Sequence, residues 1–138
     1  MTGGNEALAA VLARIPYVAH LGVHAELAGD EMTAVLPFSE HLIGNPLLPA
    51  LHGGVIGGFM ELTAVIQLSI VQAQTKTPRP IDVTVEYLRS GRPMTTYARA
   101  EVKKVGRRIA NVQVEAWQDV RSNPIAALRG HFLVSPSD

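Results

Sequence analysis

The 138-residue chain contains no cysteine, which removes several functional classes at once. Disulfides, cysteine-ligated zinc, iron–sulfur clusters and thiol nucleophiles are excluded, and nothing indicates an oxidising compartment. Neither sign of charge is in excess, since Lys+Arg and Asp+Glu number 12 each, and aromatic residues make up only 5% of the chain. A nucleic-acid-binding protein typically combines a basic surface with aromatic stacking platforms, so this class is not expected.

Long apolar runs are also scarce. The stretch 51–71 is long enough to raise the question of a membrane span, but it carries Glu61, four glycines, Gln67 and Ser69. A charged group at bilayer depth costs roughly 2.5–3.5 kcal/mol or more, so we expect a buried helix of a soluble protein and no membrane contact. No basic segment leads into an apolar run at the N-terminus, so we expect no signal peptide and a cytoplasmic location.

Apolar content is high enough for a packed core. Hydrophobic residues make up 47% of the chain and charged residues 17%. Burial of that much apolar surface can offset the entropy of ordering the backbone, which excludes a disordered chain. The length fits one domain, which we expect to cover residues 1–138.

Proline and glycine divide the first half of the chain into elements. Apolar residues at helical spacing predict a short helix over about residues 5–15, ended by Pro16. In chain order the next predicted elements are a hairpin of strands 23–27 and 32–36, a proline-rich loop over 37–49, and a long helix over about 53–74.

The second half changes to a period of two. Apolar and polar residues alternate in four segments separated by turn residues, as expected for half-buried strands (81–87, 95–105, 109–119 and 125–134). The chain is therefore predicted to adopt an α+β fold, with a long central helix wrapped by an antiparallel sheet of about six strands. Such a sheet leaves one edge strand exposed, so we expect pairing with a second copy.

The strongest local signal is a glycine-rich stripe at the start of the long helix. If the helix begins at Gly53, then Gly54, Gly57, Gly58 and Glu61 fall on one face. Each helical glycine costs roughly 1 kcal/mol relative to alanine. We therefore expect another chain or a ligand to approach this stripe closely.

The same segment carries the elements of a hydrolytic site. The first helical N–H groups, at Gly53 and Gly54, have no acceptor within the helix and lie at the positive end of its dipole. They can hold an oxyanion, and Glu61, two turns away, can act as a base or nucleophile. This combination suits acyl transfer to water. Glycine stripes also serve plain helix packing, and a single Glu can be a paired structural acid, so spacing alone leaves both interpretations open.

The chain resembles the hotdog-fold acyl-CoA thioesterases of the PaaI-like group over nearly its whole length. The resemblance is sharpest at His52-Gly53-Gly54, which an acid follows nine positions after the histidine, and in the strand Val83-Thr84-Val85-Glu86-Tyr87-Leu88-Arg89. It implies a hotdog fold and hydrolysis of an acyl- or aryl-CoA thioester, without a cofactor or metal.

The resemblance also implies roles for individual residues. Glu61 would be the nucleophile or general base, and the Gly53 N–H would polarise the thioester carbonyl. Asn45 would position the attacking water or the thioester, although Pro46 occupies the position where the family has its asparagine. His52, beside the helix N-terminus, is expected to fix the loop by a hydrogen bond.

Oligomerisation and substrate contacts follow from the same resemblance. The site would form between the subunits of a homodimer or a dimer of dimers, with Gly54, Gly57 and Gly58 lining the substrate and facing the partner's strand. Some family members place a Ser or Thr where this chain has Pro80, and Thr84 is the candidate substitute. The acyl group is expected to lie against apolar side chains (Leu47, Leu48 and Phe59).

Basic residues concentrate in the second half of the chain. From Arg89 onward nine basic residues accompany four acids, whereas the first 88 residues carry three basic residues and eight acids. We expect four of them to meet the phosphates of coenzyme A (Arg89, Arg92, Lys104 and Arg107). The alternative is that they are solvated residues that also blunt sheet edges.

Two other functions remain open. His41 and Glu61 could share the acid–base elimination of a hotdog-fold dehydratase or enoyl hydratase, although here the acid follows the histidine by 20 positions rather than about 14. A non-catalytic acyl-CoA-binding module is the third possibility. The five histidines show no metal-binding spacing, so no metal site is expected.

Overall fold

Two short helices precede the strands. The computed structural model of the protein describes residues 2–29, 31–45, 50–51, 53–72 and 76–134. Helix α1 spans Thr2–Ala13 and helix α2 spans Pro16–Leu21, which ends at Gly22 with φ 77°. The fixed φ of proline suits a first helical position, so Pro16 begins a second helix as well as ending the first. The prediction of one helix over 5–15 is wrong in that it misses the second helix, which begins at Pro16.

In the described residues, the remaining elements comprise eight strands, one long helix and a 3-10 turn. The turn Glu40–Leu42 and the pairing of β3 with β4 lie in the segment predicted as a loop. Helix α3 spans Gly53–Gln72, close to the predicted 53–74. The strands are β1 (His24–Ala28), β2 (Glu31–Leu36), β3 (Ile43–Asn45), β4 (Ala50–Leu51), β5 (Arg79–Tyr87), β6 (Thr96–Val105), β7 (Ile109–Trp117) and β8 (Ala126–Leu133).

Six strands form one antiparallel sheet in the order β1-β2-β6-β7-β8-β5. Consecutive strands β6, β7 and β8 pair as a meander, and β5 joins the far edge by pairing with β8. This arrangement of one long helix against a six-stranded antiparallel sheet confirms the predicted hotdog fold. The order also leaves β1 and β5 as the two edges of the sheet.

Helix α3 packs on the inner face of the sheet. Its side chains Phe59, Met60 and Ile66 are completely buried, and small residues such as Ala98 and Ala116 on the sheet allow the helix to approach closely. Burial of a large apolar side chain contributes about 1.5–3 kcal/mol, so this contact is the main source of stability. The helix is long and apolar enough to span a membrane, but 61% of that stretch is buried inside the molecule.

Polar side chains within α3 are satisfied locally. Thr63 Oγ1 donates to the Phe59 carbonyl at 2.8 Å, and Ser69 Oγ donates to the Val65 carbonyl at 2.8 Å. Gln67 Oε1 accepts a hydrogen bond from the Met32 N–H of β2 at 3.1 Å. These bonds remove the cost of burying polar groups and tie the helix to the sheet.

Edge strand β5 exposes apolar side chains. Ile81 is 52% exposed, Val83 39% and Tyr87 54%, although Val83 and Tyr87 share the strand face of Val85, which packs against the helix. An exposed edge with unpaired N–H and C=O groups and apolar side chains is a template for pairing with another strand. The single chain therefore leaves uncovered the surface that adjoins the start of α3.

Candidate active site

The start of α3 is held against the loop that follows β5. The Leu51 N–H of β4 donates to the Gly91 carbonyl at 2.8 Å. A Cβ on Gly91 would lie 2.9 Å from Ile56 Cδ1 and 3.4 Å from Leu51 Cβ, so the loop packs closely against the first turn of the helix. Gly53, the first residue of the helix, remains exposed, with its N–H outside the intrahelical pattern.

Tyr87 of β5 covers part of the glycine stripe. Its hydroxyl donates a hydrogen bond to the Gly53 carbonyl at 2.7 Å. A Cβ on Gly57 would lie 3.2 Å from the same hydroxyl, and one on Gly53 would lie 3.6 Å from the ring. The close approach expected at the glycines is therefore made, in this chain, by its own tyrosine. The period-two pattern already places Tyr87 on the same strand face as Val85, but no pattern in the sequence indicates the hydrogen bond.

A second tyrosine covers the next glycine. A Cβ on Gly58 would lie 3.1 Å from the Tyr17 hydroxyl, so α2 packs over this part of the stripe. The Tyr17 ring stacks on His20 at 5.8 Å between centroids, and His20 meets His41 edge-on at 6.1 Å. This ring cluster was not foreseen, because it joins segments that are distant in sequence.

Glu61 lies one helical turn beyond Gly57 on the same stripe. Its side chain is half-buried. Within the described part of the chain, no hydrogen bond or ion pair engages its carboxylate. A paired structural acid would have such a partner, so this observation favours the chemical interpretation of Glu61 over the structural one.

A cavity of about 460 Å³ opens beside the start of the helix. Backbone and side chains of β4, the first turns of α3 and the end of β5 enclose it (Ala50, Leu51, Gly53, Ile56, Tyr87, Leu88, Arg89, Ser90 and Gly91). The exposed first residue of the helix, a tyrosine and an arginine thus share one opening. The apolar walls and the cationic rim suit a thioester with an anionic tail.

The four predicted phosphate contacts divide into separate locations. Arg89 lines the cavity with Gly53, whereas Arg92 forms an ion pair with Asp119. Lys104 and Arg107 lie at the opposite end of the sheet, around the β6–β7 turn. Eight residue steps of extended strand, about 26 Å, separate Lys104 from Thr96 at the end of β6 near the cavity. Within one chain, only Arg89 of the four is therefore beside Gly53.

Thr84 lies on the other face of the sheet. Val85 approaches the helix, with its Cγ2 4.0 Å from a Cβ placed on Gly57, so its neighbour Thr84 points away. Thr84 lines a separate cavity of about 240 Å³ on the outer face, together with Arg99, Glu101 and Arg129. It is not brought to Glu61 within one chain.

Five further residues of the predicted site have different outcomes. Asn45 ends β3 opposite Ala50, but its side chain lies outside the described residues, as do His52 and the segment 46–49 that contains Leu47 and Leu48. Phe59 is completely buried against the sheet and lines no opening in the single chain. In the single chain, the Phe59 side chain is therefore not open to an acyl group.

His41 has partners of its own. Its Nδ1 lies 2.7 Å from Ser39 Oγ, and its ring meets His20, which in turn stacks on Tyr17. No contact within the described residues joins His41 to Glu61. The described ranges also contain no group of three His, Asp or Glu side chains placed to hold a metal ion.

Comparisons with known proteins agree with this geometry. The family model described as the thioesterase superfamily matches residues 48–124, which include the start of α3 and strands β5 to β7. A crystal structure from Chromobacterium violaceum is 39% identical over 97% of this chain and 93% of its own, with a TM-score of 0.76. No sequence among the curated proteins matches.

Other solved structures share the fold at lower identity. A thioesterase from Haemophilus influenzae is 25% identical, covers 91% of this chain and 86% of its own, and has a TM-score of 0.78. A phenylacetic acid degradation-related protein from Ralstonia eutropha, at 17% identity, covers 87% and 91% with a TM-score of 0.76 and shows the fold alone. With a family match over more than half its length, an exposed helix N-terminus and an unpaired acid on the adjoining stripe, this chain belongs to the thioesterase superfamily.

Proposed function

We propose that the protein hydrolyses the thioester of an acyl- or aryl-CoA, with Glu61 as the general base and the Gly53 N–H as an oxyanion donor. The observation that supports this proposal is the half-buried carboxylate of Glu61, which has no partner among the described residues and lies on a stripe that begins at an exposed helix N-terminus. The proposed roles need an available carboxylate and a main-chain donor that faces an opening.

The length of the helix supports a site that two copies of the chain share. Gly53 and Glu61 are eight residues apart on one helix, which is about 12 Å along its axis. A water that attacks a carbonyl whose oxygen is held by Gly53 must lie within about 3 Å of its base. The Glu61 that serves this Gly53 therefore comes from a second copy.

The exposed edge of β5 supplies the pairing that brings the two groups together. Gly57 lies level with Val85 along β5, and α3 runs antiparallel to this strand, since Gly53 meets Tyr87. A two-fold axis near Val85 would pair the two β5 edges antiparallel. It would also set Gly53 level with Glu61 of the partner subunit. We therefore propose a homodimer, alone or within a dimer of dimers, with two equivalent sites at its interface.

The proposed reaction follows from these positions. Glu61 takes a proton from water while the water oxygen bonds to the thioester carbon, and the Gly53 N–H holds the oxyanion that forms. When the tetrahedral intermediate collapses, the C–S bond breaks and the proton passes from Glu61 to the departing sulfur. The products are a carboxylic acid and free coenzyme A. As coenzyme A leaves, its phosphates pass Arg89, which lines the same cavity as Gly53.

The decisive experiment replaces Glu61 with glutamine. Glu61→Gln keeps the shape of the side chain but cannot accept the proton, so kcat for acyl-CoA hydrolysis should fall about 100-fold or more. Release of free thiol from a series of acyl- and aryl-CoA substrates measures the rate. The matched control is Glu115→Gln on the outer face of the sheet, which should hydrolyse at the wild-type rate.

Other outcomes would identify a different function. A Glu61→Gln variant as fast as wild type would contradict the assigned base. Tight binding of acyl-CoA by the wild type without release of thiol would indicate a binding module. Loss of enoyl absorbance without release of thiol would indicate a dehydratase or hydratase.

A further inference from the structure

We infer that Tyr87 is a positioning residue, which holds the first turn of α3 so that the Gly53 N–H keeps a fixed direction toward the thioester oxygen. This inference rests on the proposed function and adds a residue to it. Tyr87 itself need not touch the reacting atoms, because it acts through the Gly53 carbonyl, to which its hydroxyl donates at 2.7 Å.

The first turn of α3 needs such an anchor. Helix ends fray, and Gly53 and Gly54 lack the Cβ that restricts the backbone of other residues. An oxyanion donor accelerates the reaction only if its direction is set before the substrate arrives. A hydrogen bond from a strand to the carbonyl of the first helical residue supplies this restraint, because β5 is itself fixed by its pairing with β8.

Gly57 provides the space that the anchor requires. The Tyr87 hydroxyl reaches the first turn over Gly57, where a Cβ would lie only 3.2 Å from the hydroxyl oxygen. An alanine there would shift the hydroxyl by a few tenths of an ångström and so weaken its bond to the Gly53 carbonyl. The hydrogen bond and the closeness of β5 together explain why a residue without a side chain occupies position 57.

The exposure of Tyr87 separates this role from a purely structural one. The residue is 54% exposed, so its hydroxyl adds little to the packing of the core. Loss of the hydroxyl should therefore change the rate constant for chemistry while the melting temperature stays nearly constant. A packing residue would show the opposite pattern.

The test compares Tyr87→Phe with wild type in a thioester hydrolysis assay. We expect kcat to fall about tenfold, a fraction of the 10²–10³-fold that loss of a whole oxyanion donor costs. KM should change less than about twofold, since binding surfaces are kept. Amide hydrogen exchange in the first turn of α3 should become faster. The control is Tyr97→Phe, whose ring stacks on Trp117 away from the cavity.

Gly57→Ala keeps the inference testable if Tyr87→Phe is poorly folded, and a double-mutant cycle extends the test when both variants fold. Gly57→Ala favours the helix but shifts the hydroxyl, so alone it should lower kcat, by less than Tyr87→Phe does. In the Tyr87→Phe background it should add little, because the hydrogen bond is already lost.

Each result has one meaning. Wild-type kcat in Tyr87→Phe, with Glu61→Gln inactive, would overturn the positioning role and leave the proposed function standing. Additive losses in the cycle would also overturn it. A wild-type chain that releases thiol from no thioester would overturn the proposed function, and the positioning role with it.

Discussion

At the scale of single residues, the role of each polar side chain in the site depends on whether it already has a partner. Arg92 and Arg89 lie three positions apart, yet one is paired with Asp119 while the other borders the cavity beside Gly53. Their positions in the sequence do not distinguish the two arginines. Their difference comes from β7, whose end brings Asp119 to Arg92 and supplies no acid to Arg89 among the described residues.

Arg89 therefore carries a specific prediction. Arg89→Gln should raise KM for acyl-CoA about fivefold, since an exposed contact of guanidinium with phosphate is worth about 1 kcal/mol. KM for an N-acetylcysteamine thioester, which lacks the phosphates, should not change. Steady-state kinetics with both substrates make the comparison.

Arg107→Gln is the companion variant to Arg89→Gln. Within one chain Arg107 lies far from the cavity. A raised KM in this variant would indicate that the partner's β6–β7 turn reaches the coenzyme. An equal rise in KM for both substrates of Arg89→Gln would contradict a contact with the phosphates.

At the scale of elements, β5 is positioned by a glycine on its neighbour. A Cβ on Gly130 of β8 would lie 2.5 Å from the Asp82 carbonyl oxygen and 2.7 Å from Val83 Cγ1. The register between the two strands shifts between Pro80 and Asp82, where the backbones come close. Because Tyr87 belongs to β5, the contact of Gly130 with β5 also influences the position of Tyr87 against α3.

Gly130→Ala should consequently destabilise the fold. The added methyl group meets main-chain atoms that cannot rotate away, so we expect a loss of about 3 kcal/mol, at the upper end for overpacking. Gly29→Ala is the comparison, since Gly29 has φ 65° but no atom within 4 Å of its Cβ position. It should lose only about 1 kcal/mol through backbone strain. Chemical denaturation measures both, and equal losses would contradict the steric argument.

At the scale of the whole molecule, the proposed oxyanion donor, Gly53, and the proposed base, Glu61, lie far apart along α3. The distance of about 12 Å between Gly53 and Glu61 cannot be closed within one helix. The exposed apolar side chains of β5 offer a surface on which a second copy could close it. A shared site predicts that two differently damaged subunits can complement each other.

The complementation experiment uses Glu61→Gln and Gly53→Pro, each expected to be inactive alone. Proline is tolerated at the first helical position but has no N–H to donate. Co-expressed in equal amounts, the two chains should form mixed dimers in which one site is intact. About a quarter of wild-type activity should return, because half of the dimers are mixed and each has one of two sites. No recovery in dimers proven to be mixed would contradict a shared site.

Much of this protein could be predicted from periodicity. The period of two after Pro80 gave the four later strands, and the apolar helical stretch gave the start of α3 at Gly53. The short helix at Pro16 was missed because Pro16 was interpreted only as a helix breaker. Proline is equally suited to the first position of a helix. The β3–β4 pair was missed because strands of three and two residues are too short to show a period.

The sequence by itself determined the longer elements, their order and the stripe that carries Gly53, Gly57 and Glu61, because local spacing decides which residues share a face. Only the tertiary structure decided which groups meet. It brought Tyr87 to Gly53, placed Arg89 beside the cavity, and moved Lys104 and Thr84 to other surfaces. The physical reason is that strand order and register, which join residues tens of positions apart, arise from packing of the whole sheet around one helix.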